Sequence, residues 1–303
     1  GLCDESARFY RVFETLKASF GPSVCPVVVP FIVDGQANCY VNLLEYKAYA
    51  YSPDGKVSEV PMPDMGDRLE GLRTAIYEAV AETSDEMFEK YFSGEAFTPE
   101  EVIVGVSRGV KSGAISPVFC GDAINTFGID QLLNGLVWLA PSAAEKSDEI
   151  GLDPDGNMVE LSVNEDGAPA AVVFKTIADP FVGKLSYFKV ISGKVSPETP
   201  LVNMRTGNQE RISKVMTVKG KKQEDAAYIG AGDIGAAPKL QNTNTGDTLC
   251  SPVRKVTLDG VEYPNPCLSM AIYPKKKGEE DKVAQGVMRL CEEDPTIHFK
   301  NNQ

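Results

Sequence analysis

The spacing of apolar residues along this chain switches repeatedly between helical and strand periods. Phe9, Val12, Phe13, Leu16 and Phe20 recur at helical spacing behind Ser6, a residue suited to capping, and Gly21-Pro22 stops the run. Val27-Val28-Val29 is wholly apolar, as expected of a strand buried on both faces of a parallel sheet. Residues 39–60 read as a hairpin, with 40–51 as one arm, Pro53-Asp54-Gly55-Lys56 as the turn and 57–60 as the other arm. A long helix is predicted over 66–92, with Leu69, Leu72, Ile76, Val80, Met87 and Tyr91 as its buried stripe. Thr98-Pro99-Glu100-Glu101 opens another, with a cap, a proline in the first turn and two acids favoured by the helix dipole. A strand over 114–120, the loop Gly121-Asp122-Ala123-Ile124-Asn125 and a helix carrying Ile129, Leu132, Leu133, Leu136 and Val137 follow. Strand, loop and helix in that order form the edge of an α/β sheet where ligands sit.

The texture then changes. Residues 142–166 hold eight acids against one base, and read as a boundary open to proteolysis between positions 140 and 155. From there to about 250, short β-rich runs alternate with turns such as Ser192-Gly193, Thr206-Gly207-Asn208 and Gly230-Ala231-Gly232-Asp233, the punctuation of a barrel. Gly183 and Gly232 are the expected sites of positive φ. In the tail, 268–273 reads as a strand and 279–293 as a helix with Val283, Val287, Leu290 and Cys291 on one face.

A length of 303 residues allows more than one core. No apolar run approaches the ~20 residues that span a bilayer. Seven scattered cysteines without a C-x-x-C pair argue for free thiols and against zinc. With His298 as the one histidine, Ser-His and Cys-His catalysis are disfavoured. The net charge is −13, yet residues 174–222 carry ten bases against three acids, a local +7. Such asymmetry is a footprint of contact with phosphate or another anionic surface, or else a solvated barrel face.

Several motifs occur in one order: Phe174-Lys175, Ala178-Asp179-Pro180-Phe181-Val182-Gly183-Lys184-Leu185, Ser192-Gly193, Gly232-Asp233-Ile234-Gly235 and Gly246-Asp247-Thr248-Leu249. Pro266, Ala271-Ile272, Pro274-Lys275 and Glu292-Glu293-Asp294-Pro295-Thr296 continue the series. Over these residues the chain resembles bacterial elongation factor G or its divergent paralogue, the translocation GTPase of the ribosome. The resemblance implies a multidomain α/β plus all-β chain. Residues 1–141 would be the C-terminal part of a P-loop-type GTPase domain with an α+β insertion at about 30–113. Residues 142–150 would be an acidic linker, 151–257 a Greek-key translation-factor β-barrel, and 265–303 the start of a ferredoxin-like α/β third domain.

A GTPase needs a Gly-rich loop ending in Lys-Ser/Thr, an Asp-x-x-Gly and an Asn-Lys-x-Asp. The first and last are missing here, and Asp148-Glu149-Ile150-Gly151 and Asp153-Pro154-Asp155-Gly156 lie in the acidic run. On the resemblance the chain is a middle piece of such a protein, beginning after those devices, with no catalytic residue, metal ligand or bound cofactor of its own. GTP and Mg²⁺ are implied for the complete protein. The piece that remains is the purine-side loop, Gly121, Asp122, Ala123 and Ile124, where the Ala123 N–H would face the guanine oxygen. Asp122 stands where the family has Ser, and its carboxylate is expected to crowd the acid of the guanine clamp.

The resemblance further implies a cytoplasmic protein that works on the ribosome through small-subunit rRNA and the ribosomal stalk protein, with no membrane or DNA partner, in translocation or in ribosome recycling. The bases placed at the rRNA contact are Lys194, Arg205, Arg211, Lys214, Lys219, Lys221 and Lys222. A tetracycline-type ribosome protection protein is an alternative within the class. A stand-alone rRNA-binding barrel without nucleotide is another, and it would need stacking aromatics such as Phe181, Tyr187 and Phe188.

Overall fold

The computed structural model describes residues 1–146, 148–179 and 182–300, so Pro180 and Phe181 of the quoted motif lie outside the described residues. Two units separate at Pro141 and Ser142. The first contains α1 (Phe9–Phe20), β1 (Val24–Pro26), β2 (Val28–Val33), β3 (Gln36–Asn42), β4 (Lys47–Tyr51), β5 (Val57–Val60), α2 (Asp67–Ala81), α3 (Asp85–Phe92), α4 (Pro99–Ser112), β6 (Ser116–Val118) and α5 (Ile129–Leu139). Strands β1 and β6 pair in parallel, with Cys25 opposite Pro117. Strands β2 to β5 form an antiparallel meander in sequence order.

Several local readings need correction, each for a physical reason. Helix α1 starts at Phe9 with Arg8 at its cap and no side-chain cap bond. The Ser6 hydroxyl donates to Asp4 instead. Phe9 and Phe13 are buried, whereas Val12 and Phe20 face solvent. Val27, Val28 and Val29 are fully buried, but the sheet that Val28 and Val29 enter is antiparallel. Only the Val27 N–H bonds back toward the parallel pair, donating to the Val118 carbonyl at 2.8 Å.

The single arm expected over 40–51 is two strands. The Asn42 side-chain oxygen accepts from the Leu44 N–H (2.9 Å) and the Glu45 N–H (3.2 Å), which turns the chain after β3. The long helix over 66–92 is likewise two. The Thr83 hydroxyl donates to the Val80 carbonyl, and Ser84 caps α3 by accepting from the Met87 N–H at 3.4 Å. The start of α4 is as expected, with Thr98 and Glu101 forming a reciprocal capping box. Thr98→Ala is therefore expected to lower the stability of this unit by about 1 kcal/mol in a denaturant titration.

Helix α5 departs most from its pattern. It buries Gln131, Gly135 and Leu139, while Leu133, Leu136 and Val137 are more than half exposed. A methyl group on Gly135 would strike the Phe119 ring at 2.3 Å, so a side without a side chain faces inward there.

The second unit contains β7 (Glu149–Leu152), β8 (Met158–Leu161), β9 (Ala170–Asp179), β10 (Gly183–Ser192), β11 (Lys194–Val195), β12 (Leu201–Asn203) and β13 (Gln209–Glu210). It continues through β14 (Val215–Lys219), β15 (Lys222–Ala226), β16 (Ile229–Gly230), β17 (Ile234–Pro238), β18 (Thr248–Cys250), β19 (Thr257–Leu258) and α6 (Glu280–Glu293). Eight strands join in the order β13-β12-β18-β9-β10-β17-β14-β15, and β11 pairs with β16. Leu201 and Val215 come from strands near opposite ends of that order, yet both lie in one core with Phe188, Ile229 and Leu249. The sheet therefore curls around a common interior. Gly183 and Gly232 have φ of 78° and 91°, the region where a side chain is strained.

Within the acidic run, the stretch from Glu149 onward enters strands. Strands β7 and β8 pair, β19 adds to β7, and Leu161 is buried. In β8, Glu160 faces outward and Leu161 inward, whereas in β7 Glu149 shares its face with buried Gly151, and Ile150 and Leu152 are exposed. The segment 268–273 forms no strand and lies exposed. Helix α6 appears as expected, with Val283, Val287 and Cys291 half-buried and Leu290 exposed. The Glu293 carboxylate accepts from the Ala178 N–H at 2.5 Å, which ties the helix to β9.

Candidate functional site

The loop after β6 is pinched shut. The Asp122 N–H donates to the Phe127 carbonyl at 2.8 Å, an isolated antiparallel bridge. The Gly121 backbone approaches so closely that a Cβ there would lie 2.7 Å from the same carbonyl. Asp122 is 3% exposed, and one carboxylate oxygen accepts from the N–H of Ile124 (3.0 Å), the N–H of Asn125 (2.9 Å) and the Asn125 amide (3.2 Å). The other accepts from the Cys3 N–H at 3.1 Å. These bonds, that of the Asn125 N–H foremost, hold the carboxyl below the usual range against the opposing cost of burial. The carboxylate expected to crowd a neighbouring acid is thus turned into its own loop. Ala123 and Ile124 form the exposed crest, and the Ala123 N–H has no acceptor among the described residues.

Asp122→Ala is expected to cost unit one about 2 kcal/mol, because three backbone N–H groups and the Asn125 amide lose a charged acceptor. Asp122→Asn should cost less. Thermal unfolding of the two variants checks the order.

The loop is also gripped by residues that no local pattern marks. The Tyr51 ring, on β4, stacks on Phe127 with centroids 5.4 Å apart and planes 20° apart. The Tyr51 hydroxyl donates to the Asp130 carboxylate in the first turn of α5. Asp130 in turn accepts from the Gln131 amide (2.9 Å), and Gln131 accepts from the Asn42 amide (2.9 Å). The bond between residues 51 and 130 spans 79 positions, beyond the reach of any sequence window.

The seven bases divide into two groups. Four are paired with acids that lie outside the 174–222 window. Lys194 meets Glu165 at 2.8 Å, with its ammonium also 4.9 Å from the centre of the Tyr228 ring. Lys214 meets Asp225 at 2.9 Å, and Lys222 meets Glu224 at 2.6 Å. Arg205 grips Asp247 with two bonds, Nε to Oδ1 at 2.6 Å and Nη2 to Oδ2 at 2.9 Å. Arg205 is thus a support of the barrel and not a free cation. Arg211, Lys219 and Lys221 have no acidic partner among the described residues.

Lys219, Lys221 and Lys222 converge at the tip of the β14–β15 hairpin. Lys219 and Lys222 are cross-strand partners closing a two-residue turn of Gly220 and Lys221. Like charges placed directly opposite one another destabilise a ladder unless something else is gained. Of the three aromatics named for stacking, Phe188 is buried at 1% exposure, Tyr187 is half-buried, and Phe181 lies outside the described residues.

The second unit is thus an eight-stranded antiparallel sheet curled on its core with a lysine-tipped hairpin, and an α/β unit precedes it in the chain. Residues 168–252 match the family model described as elongation factor G domain 2, and residues 263–303 match that of elongation factor G domain III. A crystal structure from Thermus thermophilus is similar over 98% of this chain, at 25% identity and a TM-score of 0.81. Residues 168–252 and 263–303 are thus of the elongation factor G type. The whole chain spans 42% of the length of that Thermus chain. Among the described residues no helix is long and apolar enough to cross a membrane, and no cluster of His, Cys, Asp and Glu is arranged to hold a metal ion.

Proposed function

We propose that this chain is part of a translational GTPase that works on the ribosome in the cytoplasm, in GTP-dependent translocation. The observation that carries the reading is the domain 2 match over 168–252 on a curled sheet whose hairpin tip holds three lysines, two of them without an acidic partner. In this reading the hairpin meets small-subunit rRNA, and the loop 121–124 is the guanine side of a nucleotide site. The complete protein supplies the phosphate loop and Mg²⁺ ligands, and GTP binding with Mg²⁺ belongs to it. A contact with the ribosomal stalk protein belongs to the same reading.

The test is made on the complete protein that carries this chain. Ribosomes should stimulate its GTP hydrolysis, and a pretranslocation ribosome should advance its mRNA by one codon when protein and GTP are added. Hydrolysis without mRNA movement would leave a ribosomal GTPase of another duty. Absence of both would overturn the reading.

A further inference from the structure

The purine-side loop is held from outside, by the meander of β2 to β5. Four observations meet at one residue. The Tyr51 ring packs flat on Phe127, whose carbonyl closes the loop by accepting from the Asp122 N–H. The Tyr51 hydroxyl donates to Asp130, where α5 leaves the loop. Tyr40, the neighbouring aromatic on β3, sets its ring edge-on to Tyr51 at 5.2 Å and 90°. Immediately before the first grip lies Thr126 at φ 62°, a left-handed conformation that is a true outlier for a β-branched residue. Such a conformation persists only where the surroundings over-determine it. Tyr51 supplies those surroundings, because it holds the residue after Thr126 and the helix that follows.

The consequences run from packing to recognition. If the loop's crest is correct only while Tyr51 holds Phe127 and Asp130, then the direction of the Ala123 N–H is set by β4. The network extends further into the meander. Gln131 is 3% exposed and accepts from Asn42, and Asn42 donates also to Glu45, which accepts from the Tyr49 hydroxyl at 3.1 Å. The meander and the loop thus share one hydrogen-bonded frame. We propose that Tyr51 and Asp130 are positioning residues for guanine recognition, locking the purine-side loop so that its Ala123 N–H meets the 6-oxo group of the base. The proposal rests on the reading of 121–124 as the guanine side of a nucleotide site.

The experiment compares GDP with the diphosphate of 2-aminopurine riboside, which lacks the 6-oxo group, by equilibrium binding to the complete protein. Tyr51→Phe keeps the ring stack and removes only the hydroxyl, and Asp130→Asn weakens the same bond from the other side. The wild-type protein should prefer GDP. Each variant should lose about threefold to tenfold of GDP affinity while its affinity for the analogue stays unchanged. A merely structural role would lower both affinities together, and that result would overturn the proposal, as would full retention of the preference. A wild-type protein that binds both nucleotides equally, or neither, would instead refute the nucleotide-site reading, and the proposal with it.

Discussion

Replacing Arg205 by alanine should destabilise the second unit by about 2–3 kcal/mol at neutral pH, and the deficit should shrink in acid. Asp247 is 5% exposed, and burial alone would push its carboxyl up. The Arg205 guanidinium, with the Asn244 N–H (2.8 Å) and the Asn203 amide (2.7 Å), outweighs burial and holds it below the usual range. A carboxyl whose folded pKa is depressed contributes stability that is present above its unfolded value of about 3.9 and lost as pH falls through the folded one. Removing Arg205 leaves a buried charge without its counter-ion. Breaking such a pair costs about 3–5 kcal/mol where both partners are buried, and the half-exposed guanidinium lowers that figure. The folded pKa of Asp247 then rises, so protonation relieves the variant as pH drops below about 4. Asp247→Ala should be at least as damaging, because Asn203 is fully buried and Asp247 is its charged acceptor. Urea unfolding of wild type and both variants at about pH 7 and about pH 4 tests this. A deficit under about 0.5 kcal/mol at neutral pH would place the pair among solvated surface ion pairs.

This pair also shows where reading the sequence reaches its limit. The motif around Asp247 was legible as a family signature, and Arg205 was legible as a base. That they neutralise each other across 42 residues was not, because a charge count over a window sees only the charges inside it. Lys194, Lys214 and Lys222 lost their apparent freedom in the same way, to Glu165, Asp225 and Glu224. Elements with a local cause were read best. Thr98 and Glu101 cap each other within one turn, and Gly183 and Gly232 take the positive φ that only glycine adopts freely. Elements decided by small side-chain bonds were missed: Asn42 split one strand in two, and Ser84 split one helix.

Helix α5 failed for a different reason. A periodic apolar stripe predicts burial only when something covers it, and here Gly135 and Gln131 face inward while Leu133, Leu136 and Val137 do not. The loop 121–125 was legible as a ligand edge from its place between strand and helix. The aromatic that grips it, Tyr51, comes from a strand that the sequence ran together with its neighbour.

Changing Lys219, Lys221 and Lys222 together to glutamate should weaken ribosome binding by the complete protein about a hundredfold at physiological salt. Each phosphate contact releases counterions and contributes a salt slope of roughly −0.7 to −0.9, so three lost contacts flatten the slope by about 2 to 3 and cost close to two decades of affinity. The hairpin should keep its fold, because all three side chains are exposed and solvated surface substitutions change stability by about 0.5 kcal/mol or less. The Lys222–Glu224 pair is itself exposed and holds little against exchange for a phosphate. A competing explanation carries equal weight. Strand β15 ends the sheet, and lysines on an edge strand discourage pairing with other chains. Glutamates at the same positions protect an edge as well as lysines do. The triple variant therefore separates the two accounts: edge protection predicts unchanged ribosome affinity and an unchanged salt slope, whereas phosphate contact predicts the loss of both. Arg205→Ala is the matched control, since its guanidinium is already committed to Asp247 and its loss should alter the unfolding midpoint but leave the salt slope as it is.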